Sequence, residues 1–336
     1  TQQFNNHNYL EKLGINYQLK LDCQDYFISK NPSITLFGFV AAFRLKIKSG
    51  LGKSNFGKDE LGIIQALLLG QRQELSEETY TSYKNAGAVH ILAVSGLHIG
   101  IVLLFCKFLL KPLERFPGGK TMTLIITVII LWGYAVLAGL SSSVIRAVSM
   151  FSFVAYALYL NRPTNTFNIL ALSMFFILLS YDPMLLFQVG FQLSYAAVFS
   201  IFWLFPKIQQ CWNPENFFLK KCWQLVSVSL AAQIGVLPLS LFYFHQFPGL
   251  FFISNLIIIP FLGVILGAGF LIIVLVLLDM LPEPLAEMYN KLITSMNQLI
   301  AWVAQQESFI FKDIAFDSVQ LVLSYLLIIA MAYSLT

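Results

Sequence analysis

Most of the chain consists of apolar segments about as long as a bilayer-crossing helix, which needs roughly 17–25 residues. Six of these segments cover residues 91–110, 121–139, 143–160, 165–181, 184–205 and 225–245. A longer apolar run spans residues 250–278, and a last one spans residues 319–335. Only 11% of the 336 residues are charged, whereas a soluble domain has about 25%. The chain is therefore predicted to be all-α, a polytopic transmembrane helix bundle of about seven to nine spans.

The regions outside the spans divide the chain into three parts. Residues 1–33 are polar and contain an alternating stretch typical of a half-buried strand, so they are predicted to be the tail of an N-terminal soluble domain with a short β remnant. Residues 34–89 are predicted to form amphipathic, interfacial helices. Residues 90–336 form the predicted transmembrane domain. Within it, residues 285–303 have one apolar face and are predicted to be an interfacial or cavity-lining helix.

The distribution of basic residues predicts the orientation in the membrane. Basic residues follow the first, third and fifth segments, at Lys111, Arg115, Lys120, Arg162, Lys207, Lys220 and Lys221. The alternate loops lack Lys and Arg, so the positive-inside rule predicts that the basic loops are cytoplasmic and the N-terminal part extracytoplasmic. Pro260 interrupts the run over 250–278, which is either a kinked helix or two half-helices. The side of residues 279–318 is left open.

Several polar side chains fall inside or next to the apolar segments, where hydrocarbon would be expected. They are predicted to line a polar path: His90, Ser95, His98, Arg146, Gln188, Gln192, Ser194, Tyr195, Gln233 and Asn255. The alternative is that each is an interhelical hydrogen bond, worth about 0.6 kcal/mol in a membrane. Gly96 and Gly100, four residues apart, also permit close helix packing.

Arg146 is the most informative single residue. A charged side chain at the centre of a membrane helix costs at least about 2.5–3.5 kcal/mol unless it reaches water or a partner. No acidic residue lies at helical spacing from it, so a local ion pair does not explain it. Arg146 therefore either extends to the outer interface or faces a wet cavity that admits an anion.

The sequence gives little support for a metal site, a nucleotide-binding loop or a hydrolase. The four cysteines lack metal-site spacing, and His-Glu-x-x-His and a phosphate-binding glycine-rich loop with lysine are both missing. Ser95 and His98, three residues apart, would make a poor nucleophile and base on one helix. We expect no cofactor, no metal and no enzymatic activity in this chain.

The segment His90-Ile91-Leu92-Ala93-Val94-Ser95-Gly96-Leu97-His98-Ile99-Gly100 closely resembles a signature of the ComEC/Rec2 competence proteins. Weaker resemblances follow in the family's order, in residues 143–147, Asp182-Pro183, residues 190–196, Gln233 with Pro238, and Asn255 with Pro260. Upstream, residues 66–72 resemble the family's lead-in helix, except that Gln71 stands where many relatives have an acidic residue. The resemblance covers roughly residues 60–275.

This resemblance implies an inner-membrane channel that conducts single-stranded DNA from the periplasm into the cytoplasm during natural transformation. It implies an OB-like domain before the membrane part, a periplasmic DNA receptor and a cytoplasmic helicase or other motor as partners, and the lipid bilayer as surroundings. The family's metallo-β-lactamase-like domain has no matching motif in this chain. Two other functions remain open: a small-solute transporter or exporter with a polar midplane site, and a membrane scaffold of the uptake complex. The oligomeric state is not predicted.

Overall fold

The computed structural model of the chain describes Tyr17, Leu19 and residues 35–160, 165–306, 310–311 and 313–334. These residues form a helical bundle with one two-residue antiparallel bridge, β1 (Phe247–Pro248) with β2 (Ile310–Phe311). Of residues 1–33, where the β remnant was predicted, the structure describes Tyr17 and Leu19 alone, so that prediction lies outside the described residues. Among those described, six helices are long and apolar enough to cross a membrane.

The helices follow the predicted segments closely. They are α1 (Leu36–Lys53), α2 (Lys58–Leu69), α3 (Glu77–Asn85), α4 (Val89–Leu92), α5 (Gly96–Leu110), α6 (Gly119–Leu137), α7 (Ser142–Leu160), α8 (Thr166–Ser180), α9 (Val189–Gln210), α10 (Phe217–Phe244), α11 (Phe251–Leu277), α12 (Glu283–Ala304) and α13 (Ser318–Ser334). Short 3-10 turns at Lys111–Arg115 and Pro183–Phe187 precede α6 and α9. The six candidate spans are α5 with its following turn, α6, α7, α9, α10 and α11.

The first packed unit joins the helices before the spans to α11 and α12. Its core includes Ile64 and Leu67 of α2, Leu262 of α11 and Ile293 of α12, all inaccessible to solvent. All residues of α2 from 62 to 69 are buried, so this helix lies within the core and not on its surface.

The polar side of α12, opposite its apolar face, forms hydrogen bonds with α2 and α3, which precede the spans. Asn297 accepts a 3.0 Å hydrogen bond from the hydroxyl of Tyr83 on α3. Thr294 donates a 2.8 Å bond to Glu60 on α2. These bonds explain why α12 is amphipathic although it is packed on both sides.

The second packed unit is formed by α5, α6 and α7, with Ile99, Leu131 and Val148 in its core. Arg44 of α1 ties the two units together, because its Nε and Nη2 donate to the carbonyl oxygens of Leu137 and Val136 at 2.9 and 3.2 Å. These carbonyls belong to the last turn of α6, where the usual helical donors are missing; that of Val136 also accepts the N–H of Gly139 at 3.1 Å. Arg44 therefore caps the C-terminus of α6.

Two predicted segments differ from the structure in detail. The helix expected over 91–110 begins at Gly96, because the backbone is extended at Ala93 and Ser95 and separates α4 from α5. The run over 250–278 is one continuous helix with Pro260 inside it, so the half-helix alternative is wrong for this conformation.

Candidate functional site

The extended backbone before α5 places His98 in the first turn of that helix, not two turns inside it. Ser95 is the N-cap residue, and its backbone N–H donates to Nδ1 of His98 at 3.3 Å. The Ser95 hydroxyl lies 3.1 Å from the same nitrogen. A side chain at this position that reaches back to the N-cap N–H is half of a capping box. Ser95 and His98 are thus neighbours across the start of the helix.

The ring of His98 is fully buried, with no accessible surface. Because Nδ1 accepts the N–H of Ser95, the neutral ring carries its proton on Nε2. That nitrogen has no hydrogen-bond partner within the described part of the chain. An unsatisfied buried donor costs about 1–3 kcal/mol, so the structure keeps a donor there that packing alone does not require.

Arg146 lies one turn inside α7 and is only 6% exposed. Its Nη2 donates a 3.0 Å hydrogen bond to the carbonyl oxygen of Gly190, in the first turn of α9. Its Nε and Nη1 are buried and have no partner among the residues that the structure describes. Of the two alternatives for Arg146, extension to the outer interface is not observed, because the guanidinium is enclosed between α7 and α9.

Aromatic rings form one wall beside Arg146. The guanidinium carbon lies 5.8 Å from the ring centre of Phe191, within the range of a cation–π contact. Phe191 packs on Tyr195, with ring centres 4.5 Å apart. The Tyr195 hydroxyl lies 3.3 Å from Oγ of Ser173 on α8. Three helices therefore meet around one positive charge.

Ser143 connects this cluster to the histidine. Its hydroxyl donates a 3.2 Å hydrogen bond to the carbonyl oxygen of Val94, in the extended segment before α5. Ser143 and Arg146 are three residues apart on α7 and hence on the same face. The break before α5 and the Arg146 cluster are thus held by the same turn of one helix.

Gln192 extends the polar set to α10. Its Oε1 accepts a 2.8 Å hydrogen bond from the hydroxyl of Tyr243, and its Nε2 donates to the carbonyl oxygen of Leu186 at 3.1 Å. Gln192 and Gly190 both lie at the start of α9. The polar cluster therefore consists of Ser95, His98, Ser143, Arg146, Gln192, Tyr195 and Tyr243.

The other predicted residues form no side-chain hydrogen bond with this polar cluster among the described residues. His90, exposed on α4, is close enough to His98 for the two rings to interact electrostatically. Gln188 is half-buried at the N-cap of α9, and Ser194 is half-buried almost two turns later. Gln233 is half-buried on α10, roughly 15 Å along the helix from Tyr243 at 1.5 Å per residue. Asn255 lies on α11 and has a buried Oδ1 without a partner among the described residues.

Sequence reasoning missed Ser173 and Tyr243. Both are ordinary polar residues in apolar helices, and neither has a neighbour in sequence that marks it. A polar residue in the middle of α8 and one at the end of α10 were the available signal, but only the packing of α8 and α10 against α9 identifies the partner. Across the described residues, no group of three or more His, Cys, Asp or Glu is arranged to hold a metal ion.

The model of the family described as Competence protein matches residues 67–336. The chain belongs to the competence protein family. The whole polar cluster lies inside the matched range. With six candidate spans among its described residues, this competence protein is a multi-pass membrane protein.

Curated relatives match over a similar range. ComE operon protein 3 of Bacillus subtilis is 31% identical over 255 residues, which cover 75% of this chain and 31% of that protein. Recombination protein 2 of Haemophilus influenzae is 26% identical, covering 71% of this chain and 32% of that protein. Competence protein ComA of Neisseria gonorrhoeae is 28% identical over 153 residues, or 43% of this chain and 21% of that protein. The chain thus spans about a third of its first two relatives. No solved structure matches this competence protein.

Proposed function

We propose that this chain is the membrane part of a competence protein that conducts single-stranded DNA from the periplasm, across the inner membrane, into the cytoplasm during natural transformation. The observation that carries the proposal is the buried Arg146 guanidinium, whose Nε and Nη1 lack partners among the described residues. A permanently charged group is expensive to bury. The burial of this charged guanidinium is best explained if an anion can reach it.

The chemistry of the polar cluster suits a DNA strand. A guanidinium presents a planar set of donors that matches the oxygens of a phosphate group. The rings of Phe191 and Tyr195 offer faces on which bases stack, and base–aromatic stacking contributes about 1–3 kcal/mol per base without reading sequence. The remaining groups are hydroxyls, one amide and one imidazole. A lining with a single charge binds phosphates weakly enough for the strand to move on.

Conduction requires the contact between Arg146 and Gly190 to open. In the enclosed state the Gly190 carbonyl takes one of the guanidinium donors, and Phe191 covers the guanidinium from the same turn of α9. A displacement of that turn would free Nη2 and uncover the charge together. The phosphate would then replace a backbone carbonyl with a charged acceptor, and such charge-assisted bonds are stronger.

The proposal assigns transport, not strand cleavage, to the chain. The driving force would come from partners, a periplasmic DNA receptor that delivers DNA and a cytoplasmic helicase or other motor that pulls the strand. The apolar helices α8 and α13 have 15 and 17 residues, or about 22 and 26 Å at 1.5 Å per residue. Together with the six candidate spans, they would bring the bundle into the predicted range of seven to nine spans, with the N-terminal part outside.

The test is DNA uptake in cells whose only copy of the full-length protein carries Arg146→Ala or Arg146→Lys. Labelled DNA protected from external nuclease is measured per molecule inserted in the membrane. We expect Arg146→Ala to lower this uptake at least about tenfold, since a hydrogen bond to a charged group is worth about 1.5–3 kcal/mol. Arg146→Lys should be intermediate, because lysine keeps the charge but not the planar donors.

Arg44→Gln is the matched control. Arg44 is also an arginine bound to backbone carbonyls, but these cap α6. Loss of the Arg44 cap should lower the amount of protein inserted in the membrane and leave DNA uptake per inserted molecule unchanged. Equal uptake per molecule in Arg146→Ala and in the wild type would contradict the conduit and favour a membrane scaffold. Transport of a small solute coupled to an ion would favour the transporter alternative.

A further inference from the structure

A second polar site lies far from Arg146, where α5 ends, α6 begins and α7 ends. A cavity of about 300 Å³ there is lined by the polar residues Lys107, Glu114, Lys120, Thr123, Thr127 and Tyr159, above an apolar floor. Arg146 and Tyr159 lie on the same helix, about 20 Å apart along its axis at 1.5 Å per residue. We call this cavity the headgroup pocket. The polar cluster uses none of its residues.

The first turn of α6 supplies backbone donors to this region. Gly118 adopts a left-handed conformation with φ of 76°, and α6 starts at the next residue. The N–H groups of Gly119 and Met122 bond to the carbonyls of Phe116 and Gly118. The N–H groups of Lys120 and Thr121 have no backbone acceptor in the described structure. A second cavity of about 430 Å³ is lined by these same two residues and adjoins the first.

Thr123 gives an independent indication of a ligand. Its side chain is 8% exposed and lines the headgroup pocket. Its Oγ1 is buried without a hydrogen-bond partner among the described residues, although a helical threonine hydroxyl commonly bonds a carbonyl of the preceding turn. Because an unsatisfied buried hydroxyl is unfavourable, a bound acceptor in the pocket accounts for this orientation.

The charge of the pocket favours an anion. Lys107 and Lys120 contribute two positive charges and Glu114 one negative charge. The ion pair that the described residues form is Lys48 with Glu74, elsewhere in the molecule. Neither lysine is in a close ion pair with a carboxylate of the described residues, and the pocket keeps a net charge of one positive unit. Helix N-terminal N–H groups, lysines and a hydroxyl together are the donor set that phosphate groups bind.

The surroundings of the pocket identify the source of the phosphate. Phe108, Phe116 and Met122 are exposed next to Lys107 and Lys120, and Leu103, Leu124 and Leu158 line the pocket itself. The pocket thus combines phosphate donors with an apolar surface at the end of three spanning helices, the depth at which headgroups lie. DNA would leave these apolar groups uncovered, whereas acyl chains cover them.

We propose that the headgroup pocket binds the phosphate of an anionic phospholipid. Lys107, Lys120, the Thr123 hydroxyl and the N–H groups of Lys120 and Thr121 hold the phosphate oxygens. Glu114 accepts a hydrogen bond from a headgroup hydroxyl. The acyl chains lie along the exposed apolar residues of α5 and α6.

The test uses the chain purified in detergent with equal amounts of phosphatidylglycerol and phosphatidylcholine, with bound lipid counted by native mass spectrometry. The wild type should retain phosphatidylglycerol preferentially. The double variant Lys107→Gln/Lys120→Gln should lose at least about tenfold in this preference, because hydrogen bonds from charged donors are removed. Thr123→Val, which keeps the shape of the side chain, should weaken it less and in the same direction.

The matched control is Lys220→Gln/Lys221→Gln, which removes the same charge from two exposed lysines at the start of α10. It should retain the wild-type preference. Equal retention in the pocket double variant and in this control would overturn the proposal. Displacement of the lipid by millimolar inorganic phosphate would assign the pocket to free phosphate, and displacement by a short single-stranded oligonucleotide would assign it to DNA; either result would also overturn it. Thermal unfolding of each variant confirms that it is folded.

Discussion

The hydroxyl group of Tyr243 on α10 donates a hydrogen bond of 2.8 Å to Oε1 of Gln192 on α9. Gln192 also donates a hydrogen bond to the carbonyl of Leu186. Its amide therefore contacts both the neighbouring helix α10 and the 3-10 turn that precedes α9. Removing the hydroxyl in Tyr243→Phe should lower the free energy of unfolding by about 0.6 kcal/mol and at most about 1.7 kcal/mol, the range for interhelical bonds in membranes. Unfolding in detergent measures it.

A double-mutant cycle separates this bond from other effects of the substitutions. Tyr243→Phe, Gln192→Leu and the combined variant are compared by the same unfolding measurement. We expect a coupling energy close to the loss in Tyr243→Phe. Losses that add to within about 0.3 kcal/mol would show that the two side chains do not interact.

His98 is expected to have two separable roles. His98→Ala removes the acceptor of the Ser95 N–H and should cost about 1 kcal/mol of stability, as for other lost caps. His98→Gln should restore most of that loss, because a glutamine at this position completes a capping box. DNA uptake per inserted molecule should stay reduced in both variants, since the glutamine does not reproduce the Nε2–H group. Full uptake in His98→Gln would leave His98 with the capping role alone.

Gly235 on α10 allows a close approach between α9 and α10. A methyl group at this position would meet Oγ of Ser200 and lie 2.9 Å from the carbonyl oxygen of Ala196. Because a backbone atom cannot move aside cheaply, Gly235→Ala should cost about 1–3 kcal/mol of stability, as overpacked sites do. Gly133→Ala is the matched control in α6, since nothing lies within 4 Å of a methyl group there. Equal unfolding temperatures of the two variants would contradict this packing.

Tyr83 lies outside the spans, and its burial predicts that the stability of the protein depends on pH. Burial raises the pKa of Tyr83 well above its usual value of 10.0. The neutral hydroxyl therefore stabilises the folded state fully below pH 10, and this contribution is lost as the pH rises towards the folded-state pKa. The loss is about 1.4 kcal/mol per pH unit in that interval.

The measurement is the free energy of unfolding of the wild type and Tyr83→Phe between pH 8 and pH 11. The variant should be less stable at pH 8, because Asn297 loses its donor. Its stability should fall less steeply above pH 10. Parallel curves for the two proteins would show that Tyr83 ionises freely in the folded state.

The helical segments were predictable from sequence because apolar length and helix boundaries are local properties. The segment over 225–245 was recognised, although α10 begins earlier, at Phe217. The break before α5 was missed because Ala93 and Val94 are apolar and continue the hydrophobic pattern. Only the extended backbone at Ser95, stabilised by the His98 ring, separates the two helices.

The site was predictable only as a set of residue types. Arg146 stood out because a membrane arginine without a nearby acid is unusual, but its acceptor, the Gly190 carbonyl, has no side chain that sequence could indicate. Gln192 was identified, whereas its partner Tyr243 was not. Pairing between helices depends on their rotation and depth, and neither quantity is encoded in one segment alone. The assignment of pore-lining residues stays a prediction.

Helix α7 carries Arg146 near one end and Ala155, Leu158 and Tyr159 of the headgroup pocket near the other. The helix runs from Ser142 to Leu160 without an internal proline, so it lacks the commonest cause of a helix kink. Under the two proposals, a tilt or rotation of α7 that uncovers the arginine would also shift the pocket wall. Lipid bound at one end of this helix would then bias how readily the other end opens to DNA.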